Sequence, residues 1–151
     1  MSTITVRQAA LSDLEALVPL FDDYRQFYGR TSDVHAAREF LKARFNHGES
    51  TLFIAFEGST PIGFSQLYPS FSSASLVRTF VLNDLFVVEF ARRKGVASKL
   101  MSAAVEFAGS LGAVRISLST ATTNETAQAL YRSAGWKRDE QFLVYHFAVQ
   151  A

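Results

Sequence analysis

The chain contains no cysteine. Disulfides, thiolate metal sites, iron–sulfur clusters and a cysteine nucleophile are excluded with it, and cysteine usage says nothing of the redox compartment. An excess of one charge is missing too, since 15 basic and 14 acidic residues leave a net charge of +1. That balance argues against a dedicated nucleic-acid binder or a polybasic membrane anchor, while local patches stay compatible with it. No apolar run approaches the roughly 20 residues of a membrane span. The polar start Met1-Ser2-Thr3 lacks the basic and hydrophobic regions of a signal peptide, so the expected location is the cytoplasm. What is present suits one globular domain over residues 1–151, with 48% hydrophobic and 19% charged residues. A chain of this length buries about 70% of the surface its unfolded form exposes and needs no covalent staple.

Ile4 to Arg7 alternates apolar and polar residues as a half-buried strand does, and Ser12 to Glu15 reads as a capping box at the next helix start. Leu14, Leu17, Val18, Phe21, Tyr24 and Tyr28 keep a helical stripe, with Pro19 inside it predicting a kink. A second stripe, Ala37, Phe40, Leu41 and Phe45, follows a cap at Ser32 and stops at Gly48. Leu52 to Glu57, a turn through Pro61 and Ile62 to Tyr68 predict a hairpin. Pro69 to Ser75 reads as a loop and Leu76 to Val88 as a long strand region. Then the period changes: Ala97, Leu100, Met101, Ala104, Phe107, Ala108 and Leu111 recur at helical steps up to Gly112. Val114 to Leu118 is a short strand, Asn124 to Ala134 a capped helix ended by Gly135, and Gln141 to Val149 a last strand. The order β-α-α-β-β-β-α-β-α-β predicts an α/β domain with a mixed sheet.

Two segments carry chemistry. In the first, a strand through Asp84-Leu85-Phe86-Val87 runs by way of Arg92-Arg93-Lys94-Gly95-Val96-Ala97 into a helix. Small residues at Gly95 and Ala97 let ligand oxygens approach backbone amides. Free N–H groups, the helix dipole and three cations together favour a pyrophosphate. It is neither a Walker loop nor a dinucleotide fingerprint, because their glycine spacing is missing. Taken alone, the segment is equally a solvated basic turn. In the second, Asn124 caps a helix and Tyr131 stands about two turns further on the same face, so both can look into one cleft. A capping asparagine and a core tyrosine are the structural alternative.

Together these segments resemble the GNAT superfamily of acyl-CoA-dependent N-acyltransferases. Arg92 to Ala97 fits its pattern Gln/Arg-x-x-Gly-x-Gly/Ala without a gap, and Asn124, Tyr131, Gly135 and Trp136 fit its later helix. The resemblance implies a mixed, mostly antiparallel central sheet flanked by helices, with splayed parallel strands forming the acyl-CoA cleft. It implies that the backbone of Leu85, Phe86 and Val87 pairs with the pantetheine arm of acetyl-CoA, and that the Val87 amide helps hold the thioester carbonyl. Arg92, Arg93, Lys94, Gly95, Val96, Ala97 and Ser98 would cradle the pyrophosphate, Asn124 would hydrogen-bond the cofactor, and Tyr131 would sit near its sulfur. Many members of the superfamily pair through the last strand, which makes Phe142 to Val149 an expected homodimer contact.

Amine acetylation needs a proton removed from the attacking ammonium and one supplied to the leaving thiolate. The resemblance makes Tyr131 the proton donor. Ser119 stands where many members carry a glutamate base, and Asn83 where the polyamine acetyltransferases carry theirs, leaving Asp84 as the nearest carboxylate. Asp84 is then a base, direct or through water, or a holder of the substrate ammonium, or an aspartate that satisfies loop amides near a strand bulge. Resemblance to small histone and polyamine acetyltransferases implies a primary amine acceptor, with Tyr24, Tyr28, Tyr68 and Phe71 at the substrate mouth, or else packed in the core or at a subunit interface. Asp22 and Asp23 would attract the amine or simply be a solvated helix face. His35, His47 and His146 show no metal-ligand spacing, so no metal is expected. The function implied is direct acetyl transfer in a ternary complex. The alternative is a CoA-binding regulatory or interaction module that has lost catalysis.

Overall fold

The alternating start of the chain forms β1 (Ile4–Gln8), and a 3-10 turn at Leu11–Asp13 leads into α1 (Leu14–Phe27). Next come α2 (Val34–His47), β2 (Thr51–Glu57), β3 (Thr60–Ser72) and β4 (Val77–Val87). They are followed by α3 (Val96–Ser110), a short β5 (Ile116–Ser117) and α4 (Glu125–Ser133). These elements are those of a computed structural model that describes residues 3–150. The described residues group into two compact units divided between Ser119 and Thr120. The first runs from β1 to β5; the second holds α4 and the chain after it.

The five strands form one sheet in the order β1-β2-β3-β4-β5. All neighbours are antiparallel except β4 and β5, so the expected mixed, mostly antiparallel sheet is present. Helices α1 and α2 cover one face: Leu17, Val18, Phe21, Ala37 and Leu41 pack with Leu52, Ile54 and Phe64. The opposite face meets α3, whose Phe107 ring lies 5.7 Å from Phe53 and 5.6 Å from Phe80. Side chains alternate across a strand, so Phe53 and Ile54 serve different layers. Burial on both sides explains why Leu52-Phe53-Ile54-Ala55 has no polar alternate.

The parallel ladder is short, with Phe80 opposite Ile116 and Val81 opposite Ser117. Beyond Val81, β4 continues to Val87 paired with β3 alone. An open backbone edge on a buried strand is what an extended ligand can pair with.

Several local expectations are corrected. Ser12 does not cap α1. Asp13 is the residue at the start of α1, but its carboxylate turns back, accepting from the Ala10 amide at 2.8 Å and taking a bidentate contact from Arg7 at 2.8 Å. Pro19 lies inside α1, as expected, on its exposed side, and the helix continues past it to Phe27. Asp33, not Ser32, caps α2, through the Ala36 amide at 3.0 Å. Ser32 donates instead to Asp22 at 2.7 Å. Asp22 also accepts from the Asp33 amide at 2.8 Å and from Gln26 at 3.0 Å. Asp22 is therefore a buried tie between α1 and α2 rather than a solvated face, and the Ser32 hydroxyl above all holds its carboxyl below the usual range. Pro69 to Ser72 extends β3 rather than forming a loop, leaving 73–76 as the connection.

The last strand expected at Gln141–Val149 is not a strand in this structure, and Phe142, Leu143, Val144, Tyr145, Phe147 and Val149 are exposed. An extended segment becomes a strand only by exchanging hydrogen bonds with another, and the described residues provide this one with no ladder. No described helix is long and apolar enough to cross a membrane.

One buried polar atom stands out in the sheet: the Ser65 hydroxyl, fully buried, has no hydrogen-bond partner among the described residues. Desolvating a hydroxyl without a partner is costly. Ser65→Ala is expected to raise unfolding free energy by about 1 kcal/mol, measured by urea titration; a loss of similar size would show that the hydroxyl is satisfied.

Candidate active site

Registry along β3 and β4 creates the site. Gln66 lies opposite Asp84 but Leu67 lies opposite Leu82, so Asn83 is an extra residue, a bulge in β4. Bulges bend a strand and increase its twist, re-aiming nearby side chains. Here the bulge lies just beyond the last β4–β5 pair. The Asp84 carboxylate is only 3% exposed at the residue level. It accepts from Gln66 Nε2 at 2.6 Å and Asn83 Nδ2 at 2.9 Å, and Gln66 in turn accepts from Ser50 Oγ at 2.7 Å. None of the ion pairs among the described residues involves Asp84. A buried carboxylate held only by neutral donors keeps its attraction for a cation.

Two half-buried tyrosines flank it. Tyr24 of α1 donates to the Asn83 carbonyl at 3.3 Å. Burial first, and then the negative charge of Asp84, push its phenol far above the ordinary value. The same causes push Tyr68 up to about 12. Both phenols are therefore protonated at neutral pH. Around them Phe64 and Phe86 lie 5.7 and 6.3 Å from the Tyr24 ring, and Tyr28 lies 5.0 Å from it. Phe27 joins Phe86 at 6.3 Å. The exposed rings of Phe27 and Tyr28 face water beside this buried charge.

The C-terminal end of β4 makes the second half of the site. The Val88 amide bonds the Ile62 carbonyl on β3 at 2.9 Å. Successive strand amides point to opposite sides, so the Val87 and Leu85 amides point to the open edge. Gly63 lets the strands meet there: a Cβ on it would lie 2.8 Å from the Phe86 carbonyl oxygen. A 3-10 turn at Glu89–Ala91 then leads to the basic loop, in which Arg93 and Gly95 adopt φ of +63° and +81°. Left-handed backbone costs an ordinary residue about 1–2 kcal/mol and can bring successive amides together into an anion-binding concavity. Val96 opens α3, whose first amides have no helical acceptor.

In the second unit, Asn124 Oδ1 accepts from the Ala127 amide at 3.1 Å and caps α4, as expected. Tyr131 is half-buried, with its ring 6.4 Å from that of Trp136.

The profile of the Acetyltransferase (GNAT) family matches residues 15–136. The chain belongs to the GNAT acetyltransferase family. It is accordingly an acetyl-transferring enzyme. It is 47% identical over 148 residues to the uncharacterized N-acetyltransferase YhfO of Bacillus subtilis, covering 98% of this chain and 99% of that protein. Identity to the D-amino-acid N-acetyltransferase HPA3 of Saccharomyces cerevisiae is 30% over 141 residues, covering 91% and 87%. A crystal structure of a probable acetyltransferase superposes with a TM-score of 0.93 at 42% identity, covering 97% of this chain and 99% of that one.

With GNAT membership in hand, the expected site residues can be placed. Asp84, Tyr24, Tyr28 and Tyr68 converge around the β4 bulge. Leu85, Phe86 and Val87 run along the open edge, and Arg92 to Ser98 form the loop and the start of α3. Within that loop Arg92 turns back: its Nε donates to the Val87 carbonyl at 2.9 Å, and its guanidinium lies 5.6 and 5.8 Å from the Phe27 and Phe86 rings. Lys94 reaches Glu57 at 3.3 Å. Arg93 has no side-chain partner among the described residues. Tyr131 and Asn124 lie in the second unit. Sequence reading gave no role to Gln66, Ser50 or Gly63. The one available signal was a glutamine within the apolar run of β3, which burial on both faces makes anomalous.

Proposed function

We propose that this GNAT enzyme moves the acetyl group of acetyl-CoA to a primary amine by direct attack in a ternary complex. The observation that carries the proposal is the buried Asp84 carboxylate, hydrogen-bonded to amides and free of ion pairs. An alkylammonium supplies the missing cation, and Asp84, directly or through water, receives its proton as the amine attacks. Protonated Tyr24 and Tyr68 can donate to polar atoms of the acceptor, and the rings of Phe27 and Tyr28 can cover its apolar part. The D-amino-acid acceptor in the name of HPA3 supports a small amino compound over a protein.

On the cofactor side, the Leu85 and Val87 amides pair with the pantetheine arm, and the Val87 amide polarises the thioester carbonyl. Arg93 and the amides of Gly95 to Ser98 receive the pyrophosphate, while Arg92 braces the loop against β4 and Lys94 adds positive charge. Asn124 contacts the cofactor and Tyr131 protonates the departing thiolate. The whole chain acts as one domain in the cytoplasm. The exposed apolar side chains between Phe142 and Val149 support pairing into a homodimer.

A panel of primary amines with acetyl-CoA tests the reaction. Because the chain has no cysteine, released CoA is the only thiol present. Amine-dependent thiol release is expected; release no faster than hydrolysis with every amine would overturn the proposal. Tyr131→Phe is expected to lower kcat by about 100-fold or more while leaving acetyl-CoA affinity nearly intact, because it removes a proton donor and little contact area. Full activity in this variant would exclude that role for Tyr131.

A further inference from the structure

The chain Ser50–Gln66–Asp84–Asn83 is more constrained than a structural carboxylate needs. We infer that Gln66 is a positioning residue for the reaction, held in one amide orientation by Ser50 so that it always donates to Asp84. The inference rests on the reading of Asp84 as proton acceptor.

The orientation follows from chemistry. An ionised carboxylate can only accept, so the Gln66 atom 2.6 Å from Asp84 Oδ2 must be the amide nitrogen. The Gln66 oxygen then faces Ser50, whose hydroxyl donates to it at 2.7 Å. Without that hydroxyl, rotating the amide would turn an oxygen towards the carboxylate. Gln66 is fully buried, so no bulk water substitutes for its donor. Asn83 Nδ2 occupies the other carboxylate oxygen at 2.9 Å from the bulge, and the Tyr24 phenol stands close enough to act on the same carboxylate. The bulge and Gln66 thus fix which directions from Asp84 remain open.

The ionisable groups facing Asp84 are few. Tyr24 approaches from α1, with Tyr28 behind it, and Tyr68 from β3, while Arg44 of α2 acts on Tyr68. Both tyrosines nearest Asp84 stay protonated across the working range, so neither supplies an acidic limb of the pH–rate profile. Removing a donor that favours the charged form moves that limb to higher pH.

The test compares pH–rate profiles of the full chain and its Gln66→Met, Ser50→Ala, Ser50→Thr and Asp84→Asn variants, with thermal unfolding as the folding control. Gln66→Met keeps the volume and removes the donor. It is expected to move the acidic limb of kcat upward by about one pH unit and to lower plateau kcat by roughly tenfold, with KM for acetyl-CoA unchanged. Ser50→Ala should move the limb in the same direction by less, and Ser50→Thr, which keeps the hydroxyl, should restore it. A limb that vanishes in Asp84→Asn but stays put in both Gln66→Met and Ser50→Ala overturns the inference and leaves Asp84 as base. A limb that persists in Asp84→Asn overturns the reading of Asp84 itself. Should Gln66→Met fail to fold, the Ser50 pair decides the matter alone.

Discussion

Gly95→Glu is expected to reduce acetyl-CoA affinity by 100-fold or more, measured by calorimetry. Gly95 has φ of +81°, a region that ordinary residues enter only at a cost of about 1–2 kcal/mol. No atom lies within 4 Å of where its Cβ would sit, so the substitution does not disrupt the core. What it changes is the loop path and the charge in front of α3. A carboxylate there interacts well with the helix N-terminus and takes the place that the pyrophosphate would occupy. The folded protein should therefore survive while binding is lost. Gly95→Ala separates the two effects, since it adds backbone strain without charge and should cost about tenfold. Unchanged binding in Gly95→Glu would reject the loop as the pyrophosphate site.

Asp84→Asn is expected to lower kcat by about 100-fold to 10,000-fold and to abolish the acidic limb of the pH–rate profile. The change is nearly isosteric but reverses hydrogen-bond polarity at one atom. Gln66 and Asn83 both offer NH₂ groups to the carboxylate, and an asparagine amide must set one NH₂ against another unless its neighbours rotate. Removing the charge also releases the tyrosines. Tyr68, now pushed up to about 12 by burial and by Asp84, should ionise at lower pH in the variant, an effect visible in ultraviolet titration without any substrate. Retained turnover, with its acidic limb in place, would mean that another group takes the proton.

The candidate functional residues differed in how well they could be read from the chain. The basic loop before α3 and the Asn124–Tyr131 helix were legible because each is a local object: the spacing from Arg92 to Ala97 sets a turn into a helix, and about two turns align Asn124 with Tyr131. A strand bulge beside Asp84 was anticipated, but the partners of its carboxylate were not legible. They depend on a one-residue registry slip between β3 and β4, which brings Gln66 opposite Asp84, and on Ser50 reaching across from before β2. A register is a property of two strands, so no pattern within one of them reports it. Asp22 illustrates the same limit, because its partners come from the loop before α2 and only the packed helix pair brings them together.

By itself the sequence determined that the chain folds as an α/β domain with a helix-bounded mixed sheet, that thiol chemistry is excluded, and that a basic, glycine-containing loop precedes α3. Those conclusions need only composition, period and short spacing, which act over a few residues. Tertiary structure decided that Asp84 is buried without a counter-charge, that Gln66 donates to it while accepting from Ser50, that Arg92 turns back onto β4, and that residues 141–149 form no strand here. Each of these turns on contacts between segments far apart in the chain, where the energy of burial and hydrogen bonding belongs to the pair and not to either residue.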